Sequence, residues 1–163
     1  MKWLRVILLA LLLSLGSGLL AAAPAHAEKL GTRPVWGACG WRTSEEKVVY
    51  NFGSLILRCG NSSWGFFHMR DGGEGEKGHL EDFQTLAKPA GLNWSDLAHW
   101  AIYYNVKDPD HTVVEGNTGC RDRLLYAEDQ NGRTIWAKRF KVIYNSVNGR
   151  IITAYPTSGI CTP

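Results

Sequence analysis

Two histidines flank a glycine-rich stretch near the middle of the chain and could supply acid–base chemistry. His68 lies near the end of the aromatic segment WGFFHM, and His79 follows the loop sequence RDGGEGEKG. An imidazole changes its charge near neutral pH, so two converging histidines can act as general base and general acid. We expect the flexible loop to let the rings converge, and a helix beginning at His79 favours an anion such as phosphate there. The simpler interpretation is that both are surface residues without a chemical role.

A metal site is the alternative use of the same residues. His68 and His79 could bind zinc together with Asp71 or Glu81, but their spacing matches no common zinc motif. The chain also lacks the G-x-S-x-G, H-E-x-x-H and G-x-x-x-x-G-K signatures of hydrolases, metalloproteases and phosphate loops. We therefore predict neither a bound metal nor a cofactor.

Polar residues on two C-terminal strands form the second part of the predicted site. In RIITAYP, strand alternation places Thr153 and Tyr155 on one face and their apolar neighbours on the other. In TIWAKRFKVIYN, the apolar residues are expected to pack on helices, which leaves Arg139 and Lys141 facing a groove. Arg139 is the first choice for a phosphate contact, because its planar fork can bind phosphate through two hydrogen bonds.

The C-terminal end has an excess of basic over acidic residues. The whole chain has a formal net charge of +3, and residues 130–163 contain basic residues but no aspartate or glutamate. The acidic residues all lie earlier in the chain. This asymmetry suggests a localised anion site. The alternative is a solvated strand face whose Lys and Arg side chains protect a sheet edge from aggregation.

Two segments carry a resemblance to a known group of proteins. LRCGNSSWGFFHMRDGGEGEKGHLEDF, followed by FKVIYNSVNGRIITAYPT, resembles bacterial ribonuclease toxin domains, the broad group that includes barnase, the bacterial EndoU nucleases and the colicin-type tRNases. The matching positions are Gly65, His68, Met69, His79 and the ITAYP strand at residues 152–156. The resemblance covers roughly residues 57–157.

The resemblance implies metal-independent cleavage of RNA. In such domains the ribose 2′-hydroxyl attacks the adjacent phosphorus and leaves a 2′,3′-cyclic phosphate. His68 and His79 would then be the acid–base pair, while Thr153 and Tyr155 would bind a phosphate oxygen or orient a histidine. The expected partners are single-stranded RNA or tRNA and, for a toxin, an immunity protein.

Two other functions compete with this interpretation. The first is a secreted, disulfide-bonded binding or inhibitor module without catalytic activity on the same fold. The second is a hydrolase of cell-wall material, which would need paired carboxylates. Glu81 and Asp82 are neighbours on a predicted helix and point in different directions, so they suit that chemistry poorly.

The N-terminal sequence predicts export. Residues 1–27 combine a basic start, a long apolar run and the small-residue ending AHA, which is typical of a cleaved secretory signal peptide. Residues 28–163 would then form a single secreted domain with no stable membrane association. Retention of the apolar run as a membrane anchor is the alternative.

Four cysteines lie in the exported part, which predicts two disulfides. Three pairings are possible, and we favour Cys39–Cys59 and Cys120–Cys161, because each pair joins segments that are plausible neighbours in a sheet.

The expected fold class is α+β: an N-terminal β-hairpin, two helices, and a three- to four-stranded antiparallel sheet. KVVYNF and SLILRC predict the hairpin, WGFFHM predicts a further strand, and residues 35–39 predict a short one. HLEDFQTLAK and NWSDLAHWAIYYNV predict the helices, the second capped by Asn93 or Ser95. His99 in the second helix is expected to be a structural or surface residue. His111 is expected in a solvated turn, and Asn-Gly pairs mark the later hairpins.

Overall fold

The computed structural model describes residues 33–163, so the predicted signal peptide lies outside the described residues. An irregular segment leads into the predicted hairpin of β1 (Val48–Asn51) and β2 (Ile56–Arg58), which pair antiparallel. The short strand expected at residues 35–39 is wrong. That segment makes one backbone hydrogen bond to β1, from Gly37 N–H to the Val49 carbonyl oxygen at 2.8 Å, and forms no regular ladder.

The aromatic segment predicted as a strand is instead a helix, α1 (Gly65–Asp71). Gly65 and Met69 lie one helical turn apart and are both buried, which gives the segment a helical rather than an alternating burial pattern. Burial of this face overrides the β propensity of the neighbouring phenylalanines. The glycine-rich segment then forms a two-residue-per-strand hairpin, β3 (Gly72–Gly73) and β4 (Glu76–Lys77).

Both predicted helices are confirmed. They are α2 (Leu80–Ala87), which continues into a 3₁₀ turn at Lys88–Ala90, and α3 (Trp94–Lys107). Asn93, rather than Ser95, is the cap of α3: its side-chain oxygen accepts a hydrogen bond from the Asp96 N–H at 2.9 Å. Within residues 33–163, no helix is long and apolar enough to cross a membrane.

The C-terminal half forms a four-stranded antiparallel meander in the order β5-β6-β7-β8. Its strands are β5 (His111–Glu115), β6 (Thr118–Glu128), β7 (Thr134–Asn145) and β8 (Ile151–Thr157). The expectation that His111 lies in a turn is wrong, because it begins β5 and pairs with Asp122 of β6. Ile152 has no partner on β7, and this β-bulge sets the alternation of the rest of β8.

The core lies between one face of the sheet and the two longer helices. Phe83 of α2 stacks on Phe140 of β7 with ring centres 5.8 Å apart, and both are fully buried beside Val142 and Ala154. His99 is also buried and accepts a hydrogen bond at Nδ1 from the Trp36 indole N–H at 3.0 Å. Of the two roles that the sequence left open for it, structural or surface, the structural one is correct.

The predicted disulfides, Cys39–Cys59 and Cys120–Cys161, are confirmed, and no cysteine in the described chain is free. The second bridge fastens the C-terminal tail to β6. In the chain-entropy account, closing loops of 20 and 41 residues stabilises the fold by about 3–4 kcal/mol each.

Candidate active site

The C-terminal site residues share one face of the sheet. We call it the outer face: it lies opposite the side that carries Phe140 and Val142. Lys141 pairs across the strands with Tyr155, and Ile143 pairs with Thr153, so these side chains alternate away from the core. Arg139 pairs with Thr157 on the same face. Strand alternation therefore locates all four predicted residues of β7 and β8 on the outer face.

His79 is held against this face by Tyr155. The two rings are stacked, with centres 4.8 Å apart and an angle of 27° between their planes. The Nδ1 of His79 lies 3.2 Å from Oδ2 of Asp82, three residues along the chain. A carboxylate accepts hydrogen bonds, so it favours the Nδ1–H tautomer of the neutral ring and leaves Nε2 as the proton acceptor. The pairing thus prepares His79 for proton transfer at Nε2.

The hydroxyl of Tyr155 is a hydrogen-bond donor at neutral pH. Partial burial of this side chain raises the pKa of its phenol above the ordinary value near 10. The group therefore stays protonated throughout the neutral range. It can donate to a phosphate oxygen without competing as a base.

His68 has the same arrangement of ring nitrogens as His79. It lies on α1, and its Nδ1 is 2.9 Å from the backbone carbonyl oxygen of Ser62. Since a carbonyl oxygen only accepts, neutral His68 donates from Nδ1 and keeps the lone pair of Nε2 available. Both histidines therefore present the same ring atom for acid–base chemistry.

A tight glycine turn fixes how the chain passes from His68 to His79. We call residues 68–79 the histidine turn. A Cβ atom at Gly72 would lie 2.1 Å from the Glu76 carbonyl oxygen, and one at Gly78 would lie 2.1 Å from that of Arg70. The His79 N–H donates to the Met69 carbonyl oxygen at 2.8 Å, so the chain returns to the residue next to His68.

The histidine turn differs from the flexible loop expected from its composition. Its tip, residues 74–77, is exposed throughout, while the glycines on either side are in close backbone contact. Gly72, Gly73 and Gly78, which suggested mobility, are needed because there is no room for side chains at these positions. Sequence reasoning missed this role. The signal that could have revealed it is the near-symmetric placement of Gly72, Gly73 and Gly78 around an exposed acidic tip.

Thr153 contributes a polar atom with no partner in the described chain. The residue is only 8% exposed, and its Oγ1 is buried without a hydrogen bond. An unpaired buried hydroxyl costs roughly 1–3 kcal/mol. An unpaired buried group of this kind needs an explanation, and a role in a functional site is one of the explanations that such groups have.

Arg139 forms ion pairs with two carboxylates. Its Nη1 donates to Asp110 at 2.7 Å and also to the fully buried Asp122. Asp122 in turn accepts hydrogen bonds from the Cys161 N–H at 2.6 Å and from Nδ1 of His111 at 3.0 Å. Burial alone would raise the pKa of the Asp122 carboxyl, but these hydrogen bonds and the charge of Arg139 hold it below its ordinary value.

This ion-paired group argues against Arg139 as the phosphate contact expected from the sequence. Its charge is neutralised within the protein, and releasing it would leave buried Asp122 without its cation. Lys141, by contrast, forms no ion pair with any residue in the range 33–163. Its Nζ lies near the C-terminal tail, 3.7 Å from the position that a Cβ at Gly159 would take. Lys141 is therefore the available cation beside Tyr155.

A metal site does not form around the histidine turn. In the part of the chain that the structure describes, no three His, Cys, Asp or Glu side chains lie close enough together to bind a metal ion. The zinc arrangement considered from the sequence, with Asp71 or Glu81 completing the site, is thus not assembled there.

Together these features define a two-disulfide α+β protein with an imidazole stacked on a lysine-bearing sheet face. No protein-family model matches the chain, and no solved structure matches it. Among curated proteins it is similar to two from Mycobacterium tuberculosis, strains CDC 1551 / Oshkosh and H37Rv, both described as uncharacterized. Each is 30% identical over 139 residues, covering 75% of this chain and 49% of the relative. The chain thus spans about half the length of these relatives.

Proposed function

We propose that the protein is a metal-independent endoribonuclease that produces 2′,3′-cyclic phosphate ends. The observation that carries the proposal is the stacking of His79 on Tyr155. The neighbour of Tyr155 on β7 is Lys141, which has no ion-pair partner among residues 33–163. In the proposed site His79 is the proton-transfer group, Tyr155 the neutral hydrogen-bond donor and Lys141 the cation. Cleavage of RNA by its own 2′-hydroxyl needs these three kinds of group.

In the proposed reaction, Nε2 of one histidine removes the proton of the ribose 2′-hydroxyl. The 2′-oxygen attacks the adjacent phosphorus, and the bond to the 5′-oxygen breaks as the other histidine donates a proton to it. His68 and His79 divide these two roles between them. Since both have Nδ1 engaged by an oxygen acceptor, each exchanges its proton at Nε2.

The remaining side chains act on the phosphate. Lys141 stabilises the negative charge that builds up on the phosphorane oxygens, and the Tyr155 hydroxyl donates a hydrogen bond to one of them. Thr153 provides a further hydroxyl whose hydrogen-bonding capacity is unused in the described chain.

We propose further that the protein acts outside the cytosol. Two disulfides connect segments of a 163-residue chain that has no free cysteine among its described residues. Disulfides of this kind persist in oxidising compartments and are rare in the cytosol. The signal-peptide pattern of residues 1–27 supports the same location.

The test is cleavage of RNA by the purified, disulfide-bonded protein in the presence of EDTA. We expect cyclic phosphate ends, and a loss of rate of about 10²-fold or more in His68→Ala and in His79→Ala. His111→Gln is the matched histidine control, because His111 lies on β5, two strands away from β7. Lys138→Ala on the other face of β7 is the control for Lys141→Ala.

If the wild-type protein cleaves no RNA, including tRNA, the proposal is wrong, and a non-catalytic secreted binding or inhibitor module becomes the better interpretation. Equal loss of activity in the control variants and in the site variants would also contradict the assignment. Unfolding midpoints of all variants separate loss of chemistry from loss of fold.

A further inference from the structure

A second candidate site lies apart from the histidines. An open depression of about 590 Å³ forms where the β1–β2 turn and the β7–β8 turn meet the ends of β5, β6 and β7. It is lined by Ser54, Leu55, Val114, Arg121, Tyr144 and residues 146–149. None of its lining residues belongs to the proposed ribonuclease site, and none is acidic. Its volume falls within the range typical of small-molecule sites.

Arg121 is the charged residue of this depression. Its guanidinium lies over the Tyr144 ring, 5.2 Å from the ring centre, and its Nη1 donates to Ser54 Oγ at 3.2 Å. Arg121 pairs with no carboxylate in residues 33–163, whereas Arg123, on the same strand and face, is bound to Asp108. The Nε of Arg121 is buried without an acceptor. A buried donor left unpaired is costly, so a ligand that supplies an acceptor gains additional stabilisation.

The floor of the depression depends on a glycine. A Cβ atom at Gly119 would lie 2.2 Å from Cζ of Tyr144, so the tyrosine ring lies directly on the backbone of β6. Because Gly119 and Tyr144 are paired across the strands, any larger residue at position 119 would lift the ring. Gly119 thus permits the flat aromatic surface over which Arg121 is placed.

Two polar side chains that line the depression with Arg121 keep a free donor, whereas the Ser146 hydroxyl already donates to the Gly116 carbonyl oxygen. Ser54 Oγ accepts from the arginine, which leaves its own hydrogen available. The side-chain oxygen of Asn148 accepts from the Arg150 N–H at 3.0 Å, so its Nδ2 remains free to donate. A cation and two donors without a neighbouring carboxylate have the chemistry of an oxyanion site. Val114 and Val147, 56% and 75% exposed, add apolar surface beside it.

We propose that this depression binds the phosphate group of a small organic phosphate of nucleotide size, with its apolar or planar part against the two valines. Arg121 binds the phosphate oxygens through its fork, and Ser54 and Asn148 donate to the same group. Binding draws the guanidinium toward the ligand and gives its unpaired Nε an acceptor. This site does not depend on the proposed cleavage of RNA, since it shares no residue with the histidine turn.

The test is titration calorimetry of the disulfide-bonded protein with adenosine 5′-monophosphate, inorganic phosphate and adenosine. We expect the monophosphate to bind more tightly than inorganic phosphate, and adenosine to bind weakest. Arg121→Gln should weaken monophosphate binding about tenfold or more, because a charge-assisted bidentate contact is lost. Arg121→Lys should recover only part of it, since lysine lacks the fork. Arg42→Gln, an exposed arginine without an ion pair in the described chain, is the control.

The proposal fails if neither phosphate compound binds the wild-type protein, or if Arg42→Gln weakens binding as much as Arg121→Gln. Equal affinity for inorganic phosphate and the monophosphate would refute the part assigned to the valines. His79→Ala should bind the monophosphate as the wild type does, and a loss there would show that binding takes place at the ribonuclease site. The unfolding midpoint of each variant confirms that the fold is retained.

Discussion

Gly73 offers the sharpest test of how the histidine turn positions His68. A Cβ atom added at this residue would lie 2.3 Å from the carbonyl oxygen of Ser62 and 3.5 Å from Nδ1 of His68. Carbon and oxygen normally approach no closer than about 3.3 Å, so Gly73→Ala must displace the Ser62 carbonyl or β3 by about 1 Å. That carbonyl is the acceptor for His68 Nδ1 at 2.9 Å.

The displacement has different consequences for stability and for catalysis. A Ser62 carbonyl oxygen that moves by this amount away from Nδ1 of His68 lies about 3.9 Å from it, which is too far for a hydrogen bond. The loss of this bond costs about 1 kcal/mol of unfolding free energy. Without this acceptor the His68 ring is no longer held in place, and a misplacement of 1 Å in a catalytic group can reduce the rate about 10²-fold. We therefore expect a modest loss of stability with a disproportionate loss of RNA cleavage.

Gly75→Ala is the matched control, since it changes a glycine at the tip of the same turn. No atom lies within 4 Å of its added Cβ, but its φ of +79° makes alanine strained by roughly 1–2 kcal/mol. Urea unfolding should thus give similar losses for the two variants. Long-range ¹⁵N NMR should show a shift of His68 away from the Nδ1–H tautomer in Gly73→Ala alone. An unchanged tautomer in Gly73→Ala, or equal activity losses in both variants, would refute the reasoning.

Three further predictions concern other contacts of the fold and the site. Asp122→Asn should lower the unfolding free energy by about 3 kcal/mol, because Arg139 loses a buried counter-charge. Folding lowers the pKa of Asp122, so its contribution to the unfolding free energy is complete above its unfolded pKa near 4 and is lost as the pH falls further. Urea unfolding should therefore show that the stability of the variant falls less steeply at acid pH than that of the wild type. Burial lowers the pKa of His99 to about 4, so wild-type stability should fall as pH drops from about 6.5 to 4, a decline that His99→Phe should reduce. Tyr155→Phe should keep the stacking on His79 and the unfolding midpoint but lower cleavage, whereas Tyr155→Ala should lower both; equal midpoints would argue against the stacking.

Local signals predicted most of the fold. The Asn-Gly pairs fixed the later hairpin turns, where Gly132 and Gly149 have φ values of 76° and 70°. Asn93 and the following apolar stripe indicated α3. The turns and this helix depend on residues close together in the chain. The sequence left three cysteine pairings open, and the one favoured from the expected sheet neighbours is confirmed. The helical conformation of α1 depends instead on the tertiary contacts that bury Met69. No local sequence pattern encodes these contacts.

The candidate site was predictable where it follows from strand alternation. The outer-face positions of Thr153, Tyr155 and Lys141 follow from a period of two and a correctly identified core face. The stacking of His79 on Tyr155 was not predictable, because it joins an α2 terminus to a strand 76 positions later. The bulge at Ile152 was likewise not predictable from the sequence, although the residues after it still alternate between the two faces of the sheet.

The charge asymmetry of the sequence has a different meaning in the folded protein. Three basic side chains of residues 130–163 pair with carboxylates of the earlier, acidic part: Arg133 with Asp129, Arg139 with Asp110 and Asp122, and Arg150 with Glu46. Much of the basic excess is thus compensated within the protein and does not by itself indicate an anion site. Lys138 and Lys141 are the basic residues of this segment that have no carboxylate partner among residues 33–163, and Lys138 lies on the core face. Two cations without such a partner stand in candidate anion sites: Lys141 on the outer face and Arg121, from the earlier part of the chain, on the opposite face. Each stands beside a tyrosine and free hydroxyl groups, and it is this unpaired charge, rather than the overall asymmetry, that supports an anion at either place.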